Sequence, residues 1–320
     1  MHRMLAALLA VMLAAPAWAD DAVSLRLNWY MGGVHAPFFL GKERGYYREA
    51  GLDLTVNEGR GSANTAQVVA AGTDTFGLAD SSSVMRLVSK DAGIRTVMSL
   101  LNTSSFGVIS LAETGIRAPR DLEGKKLAIT AGDALTQLFP AFAGFNKLDT
   151  GKITLVQIDP AGKVVALLEK RVDAILGGLD DQYFLVKQKG FDPAGMGFAK
   201  NGINTVGLTI LTQDATIVAR PELVRRFVAA TQKSWAAAKA DPDAAIAALM
   251  KAKQGLDFDS QKNQLVADLP NLASPATEGK PIGWGALSDW ESTETLLKQY
   301  GNLETDRPAS AFFTNDFLPQ

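Results

Sequence analysis

The chain contains no cysteine among its 320 residues. That excludes disulfides, thiolate metal sites, iron–sulfur clusters, cysteine nucleophiles and the lipidated cysteine of a bacterial lipoprotein. Histidine is almost as scarce, with two residues, one of them at position 2, which leaves no basis for a His-built zinc site. Neither sign of charge dominates: Lys plus Arg number 32 and Asp plus Glu 34, a net charge of −2. Phosphate-backbone binding needs clustered Lys and Arg, so no nucleic-acid partner is expected. No GxSxG or HExxH motif occurs, and Gly59-Arg60-Gly61-Ser62 has neither of the nucleotide-loop spacings. What remains is ordinary for a globular protein, 47 % hydrophobic and 21 % charged, and long enough for two domains with a large core.

Long hydrophobic runs are also missing, except at the start. Met1-His2-Arg3 is basic, Met4 to Ala15 is almost purely apolar, and Ala17-Trp18-Ala19 fits a small-x-small cleavage site. About a dozen apolar residues are too few to span a bilayer, which takes roughly 20. Residues 1–19 therefore read as a signal peptide, and the product as a secreted protein without a lipid anchor.

The mature chain alternates strand and helix patterns. Strands are expected at Val23–Trp29, Leu52–Val56, Phe76–Ala79 and Arg95–Leu100, with helices at Ala36–Ala50, Ser62–Ala71 and Ser81–Lys90 between them. The pattern restarts after Leu111. Strands follow at Lys126–Thr130, Thr154–Ile158 and Ala174–Gly177, with helices at Ala134–Phe145, Ala161–Lys170 and Asp180–Lys189. Thr205–Leu211 is extended and apolar. The remainder is helical, at Pro221–Ala240, Pro242–Lys253, Ser260–Ala267 and Ser288–Tyr300. Such alternation implies an α/β fold with helices on the sheet faces. A helix-only tail has no strands for a third sheet and must pack on an existing lobe.

In open α/β sheets, ligands bind where strands end and helices begin. Asn28-Trp29-Tyr30-Met31-Gly32-Gly33-Val34-His35 is such an edge and gathers two aromatics, an amide and the only mature histidine. It suits stacking on a flat ring, with His35 exchanging a hydrogen bond; a turn with a partly buried Trp is the plainer alternative. Asp80-Ser81-Ser82-Ser83 is either a polar ligand contact or a helix N-cap. Asp133 and the Gly177-Gly178-Leu179-Asp180-Asp181 turn are the equivalents in the second block, with capping again the alternative. Asn102 and Asn204 lie near the two expected crossings between blocks. Trp235, Trp284 and Trp290 read as packing residues.

Leu25-Arg26-Leu27-Asn28-Trp29, His35-Ala36-Pro37-Phe38-Phe39 and Lys42-Glu43-Arg44-Gly45-Tyr46-Tyr47 form an ordered series. With Gly72-Thr73-Asp74-Thr75-Phe76-Gly77 and Asp121-Leu122-Glu123-Gly124-Lys125-Lys126, it resembles the periplasmic solute-binding proteins of ABC importers. The branch it resembles serves nitrate, sulfonates, taurine and thiamine pyrimidine precursors. The resemblance implies a two-lobed periplasmic-binding-protein fold of type II, with a cleft between lobes joined by crossing strands. Lobe I is expected at 20–108 and 209–320, and lobe II at 109–208, with pivots near Phe106–Leu111 and Asn204–Leu208. The residues expected to bind ligand are Asn28, Trp29, Tyr30, His35, Ser81, Ser82, Asn102, Asp133, Asp180, Asp181 and Asn204; the resemblance implies no catalysis, and no metal or cofactor is expected. The Trp29…His35 pair points to a flat heteroaromatic such as a thiamine pyrimidine precursor. A sulfonate, nitrate or aromatic carboxylate is the alternative. The implied partners are that small molecule and ABC permease subunits at the inner membrane, met by a periplasmic monomer. Some relatives are pyrimidine synthases that depend on pyridoxal phosphate and a cysteine cluster, which this chain lacks. A secreted hydrolase or lyase using Asp180, Asp181 or His35 is the remaining enzymatic reading.

Overall fold

The computed structural model describes residues 20–319, so the expected signal peptide lies outside the described residues. The first block contributes β1 (Asp21–Arg26), α1 (Ala36–Glu43), α2 (Tyr46–Glu49), β2 (Leu52–Asn57), α3 (Ser62–Ala70), β3 (Phe76–Asp80), α4 (Ser81–Val88) and β4 (Ile94–Ser99). The second contributes β5 (Phe106–Leu111), β6 (Lys126–Ile129), α5 (Ala134–Phe145), β7 (Thr154–Gln157), α6 (Lys163–Leu168), β8 (Ala174–Gly178), α7 (Gln182–Gln188) and β9 (Pro193–Gly197). The chain then returns through β10 (Leu208–Gln213) to α8 (Asp214–Ala219), α9 (Pro221–Ala240), α10 (Pro242–Ala252), α11 (Phe258–Asp268) and α12 (Leu287–Tyr300).

Two five-stranded sheets result, in the orders β2-β1-β3-β10-β4 and β7-β6-β8-β5-β9. In each, one strand runs antiparallel to its neighbours, β10 in the first and β5 in the second. Both are the strands that follow a crossing. The expected boundary between residues 108 and 109 cuts through β5, five of whose residues pair with β8 in the second sheet. The boundary between 208 and 209 likewise falls one residue inside β10. The chain crosses earlier in each case, over residues 100–105 and 203–207. An apolar run announces a strand but not the sheet it joins, which is why the sequence misplaced the change. The two crossings are hydrogen-bonded to each other, Ser104 N–H to Thr205 O (3.1 Å) and Gly207 N–H to Leu101 O (2.9 Å).

Lobe I is built around Leu25, Phe76 and Ile210 of its sheet, packed against Phe38 of α1 and Phe227 and Trp235 of α9. Phe76 and Phe227 stack with centroids 3.8 Å apart. The helical tail covers both lobes, since α9 and α10 lie on α1 while α12 reaches α5 of lobe II. Trp235 and Trp290 are fully buried. Gly45, with φ +77°, ends α1 where a single helix over Ala36–Ala50 was expected. No helix among the described residues is long and apolar enough to cross a membrane.

Candidate ligand cleft between the lobes

A cavity lies between the two sheets. Its lining comes from the loops and helix starts that follow parallel strands: Trp29 and Tyr30 after β1, Gly61 and Ser62 after β2, Asp133 after β6, Lys163 after β7, Asp180 and Asp181 after β8. All sit at the carboxyl ends of their strands. The lobes touch around it, with Ala63 N–H donating to Gly132 O (3.2 Å) and Ser83 Oγ to Gln137 Oε1 (3.0 Å).

The aromatic floor is Trp29 and Tyr30, their rings 5.8 Å apart. Beside them Gly32 N–H donates to His35 Nδ1 (3.1 Å), so Nε2 carries the proton and donates to Asn28 Oδ1 (2.9 Å). Both imidazole nitrogens are thus committed. The ring is neutral, and burial drags its pKa down to about 3. Asn28, its oxygen held by His35, lines the cavity beside the ring. Gly32 and Gly33 serve helix packing here: a Cβ on Gly33 would lie 2.1 Å from Gln261 O of α11.

Electrostatically the cleft is acidic. Lys163 is fully buried and donates from Nζ to Asp133 Oδ2 at 3.1 Å, while lying 5.4 Å from the Trp29 ring centroid of the other lobe. Burial pulls the Lys163 pKa down, and Asp133 offsets part of that. Asp133 also caps α5 by accepting from Thr136 N–H (2.6 Å). Asp180 accepts from Ser105 Oγ (2.6 Å). Burial raises the pKa of Asp180 and that of Asp268 on α11, the latter further through the Asp180 charge. Burial, helped by Asp180, pushes Asp181 up to about 7.

Seven of the eleven nominated residues line this cavity: Asn28, Trp29, Tyr30, His35, Asp133, Asp180 and Asp181. The other four do not. Ser81 donates to Val206 O (2.5 Å) and Ser82 to Asp80 Oδ1 (2.5 Å), because the second crossing covers the end of β3 and the serines complete a cap. Asn102 is buried and donates to Leu272 O and Trp284 O, tying the tail to the crossing. Asn204 is exposed on the second crossing. Sequence reasoning missed Lys163, Ser62, Gln182 and Gln264. The sheet-edge rule that nominated Asp133 applies equally to Lys163, which opens α6 after β7. For Gln264, on a helix far along the chain, no signal existed.

A pyridoxal phosphate group does not fit this lining: Lys163, its one buried amine, is held by Asp133 and is free neither for the group's aldehyde nor to balance a phosphate.

The chain is 23 % identical to the riboflavin-binding protein RibY of Chloroflexus aurantiacus, over 93 % of its own length and 86 % of that protein's. It is 22 % identical to the 4-amino-5-hydroxymethyl-2-methylpyrimidine phosphate synthase of Legionella pneumophila, over 93 % and 92 %. To the formylaminopyrimidine-binding protein of Halalkalibacterium halodurans it is 23 % identical, over 93 % and 91 %. Among solved structures it is similar to the alkanesulfonate-binding protein SsuA of Xanthomonas axonopodis pv. citri bound to MOPS. That match has a TM-score of 0.72 at 15 % identity, covers 94 % and 99 % of the two chains, and shows the shared periplasmic-binding-protein fold. A family described as NMT1/THI5 like matches residues 33–245, and the chain belongs to that NMT1/THI5-like family.

Proposed function

We propose that the chain is an extracytoplasmic solute-binding protein of an ABC importer. In this reading it closes on a flat nitrogen heteroaromatic, such as a thiamine pyrimidine precursor, and passes it unchanged to a membrane permease. One observation carries the choice of ligand. The only buried cation of the cleft, Lys163, is already paired with Asp133, while Asp180 and Asp181 face the same space beside Trp29 and Tyr30. A ring nitrogen next to an amino group offers an acceptor and a donor together, which a protonated carboxyl matches at two points. Trp29 supplies a face for the ring. Nitrate, sulfonate or an aromatic carboxylate would have to take Lys163 from Asp133. The names of two relatives, which carry a pyrimidine, support the same class.

Closure expels water, so each polar contact inside strengthens and an unpaired ligand group costs about 1–3 kcal/mol. The paired crossings at 100–105 and 203–207 are the hinge of this motion. Because some relatives are named synthases, turnover through Asp180 or Asp181 is the rival reading. His35 gives it no free imidazole. The test is calorimetry with 4-amino-2-methylpyrimidine, sulfonates and nitrate, followed by mass spectrometry of the bound compound. One pyrimidine bound per chain and recovered intact is expected. Preference for the anions would overturn the ligand class, and a product would overturn binding without chemistry.

A further inference from the structure

Helix α11 packs on α10 and on the Gly33–His35 turn of lobe I, and it also meets α7 of lobe II. At the outer end of this seam, Lys187 of α7 shares a groove with Asp257 and Asp259 of α11, so opposite charges face each other. The inner end is the reverse. Asp180, in the turn before α7, is 8 % exposed, and Asp268, the last residue of α11, is fully buried. They come from opposite lobes, yet the Asp180 charge acts on Asp268. Asn271 Nδ2 donates to Asp268 Oδ1 (3.1 Å), whereas Asp268 Oδ2 has no partner. The charged groups around the two leave them unneutralised. Lys163 on α6 is paired with Asp133, and Asp181 adds a third carboxyl. On the lobe I side His35 is neutral, Lys253 is held by Glu58, and Lys262 of α11 by Asp243 of α10. Lys200 lines the groove behind Asp180 but is itself exposed.

We propose that Asp180 and Asp268 are a proton-operated latch between the lobes: the cleft closes fully only when one of the two carboxyls takes up a proton, and losing that proton reopens it. This rests on the reading of the lobes as jaws that open and close on a solute. With the jaws apart, both carboxyls reach water and ionise as ordinary aspartates, near ~3.9. Closing brings them together in a dry space, where two negative charges without a cation are not tolerated. The closed form therefore holds a proton that the open form lacks. Its population relative to the open form falls by up to about tenfold per pH unit as pH rises. The clamp grips more firmly in acid and releases as the medium turns alkaline.

The chain has no cysteine, so Gln67→Cys and Ala161→Cys, exposed residues lining the groove at the mouth of the cleft, can carry two spin labels whose separation reads opening. The measurement runs without ligand from about pH 5 to about pH 8. The parent's closed-to-open ratio is expected to fall at least about tenfold over that range. Asp268→Asn keeps the oxygen that Asn271 uses and removes the charge. It is expected to raise the ratio at about pH 8 at least about tenfold and to flatten its slope, leaving the part that Asp181 contributes. Asp180→Asn should do the same, and the double variant should gain nothing further, because either change alone ends the repulsion. A parent ratio that is flat with pH, variants that follow the parent, or gains that add in the double variant would each overturn the latch. Should one single variant fail to fold, the other decides against the parent. No ligand enters the measurement, so failure of the latch leaves the ring-binding reading to its own calorimetry.

Discussion

Lys163 Nζ stands 3.1 Å from Asp133 Oδ2, and neither side chain is more than 3 % exposed. The two come from neighbouring loops of one lobe, and the ammonium faces Trp29 of the other. This ion pair sets the character of the cleft, because it withdraws the one buried cation from service to an anionic solute.

Breaking a buried pair strands a charge, at a cost of about 3–5 kcal/mol. Lys163→Met is expected to lose roughly 3 kcal/mol in urea unfolding. The double change Lys163→Met with Asp133→Asn should recover part of it, since asparagine still caps α5. A double-mutant cycle reads the coupling directly. A single-variant loss below about 1 kcal/mol would show that the pair is solvated rather than buried.

Trp29→Ala should weaken binding of the pyrimidine probe at least about tenfold, the ~1.4 kcal/mol that an aromatic contact supplies. Titration calorimetry decides it, and unchanged affinity would remove Trp29 from the site.

Gly61 has φ +127°, and a Cβ there would lie 2.2 Å from Gly132 O of the opposite lobe. Gly61→Ala is therefore expected to hold the lobes apart and reduce affinity about tenfold or more, because the closed state is the binding-competent one. Small-angle scattering should show the parent contracting with ligand and the variant failing to. A variant that contracts and binds normally would place closure elsewhere.

Two groups of the cleft, Asp181 and His35, contribute to the pH profile with opposite sign. Asp181 keeps its proton in the fold up to about 7, whereas an unfolded Asp releases it near ~3.9. Its contribution to stability is thus present in full below ~3.9 and lost as pH rises to about 7. His35 is held neutral with a pKa of about 3, so its contribution is lost as pH falls from ~6.5 toward about 3. Asp181→Asn should accordingly gain on the parent as pH rises from about 4 to about 7, with a constant difference above that. Thermal melts across that range check it, and parallel curves would show Asp181 ionising normally.

Much of the fold was legible. α5 and α9 have the expected limits, Ala134–Phe145 and Pro221–Ala240, because an N-cap or a first-turn proline and an apolar stripe mark them locally. β9 was not foreseen. Pro193-Ala194-Gly195-Met196-Gly197 carries a proline and two glycines, tolerable only at the sheet edge it occupies. At the site, the error ran in both directions. Ser82 and Asn102 look like ligand contacts in sequence, yet their donors satisfy a helix cap and tail carbonyls. Lys163 and Gln264 look like surface residues of ordinary helices, yet they are buried in the cleft wall.

The sequence by itself determined the alternation of strands and helices, the aromatic loop after β1 and the absence of thiol chemistry. Those follow from local periodicity and composition, which neighbours along the chain suffice to express. Tertiary structure alone decided which sheet receives β5, that α11 brings two glutamines against Gly32, and that Lys163 belongs to Asp133. Each of these depends on residues from 30 to more than 200 positions apart meeting in a dry space. There the cost of an unpaired charge or amide selects partners, and no local pattern records the choice.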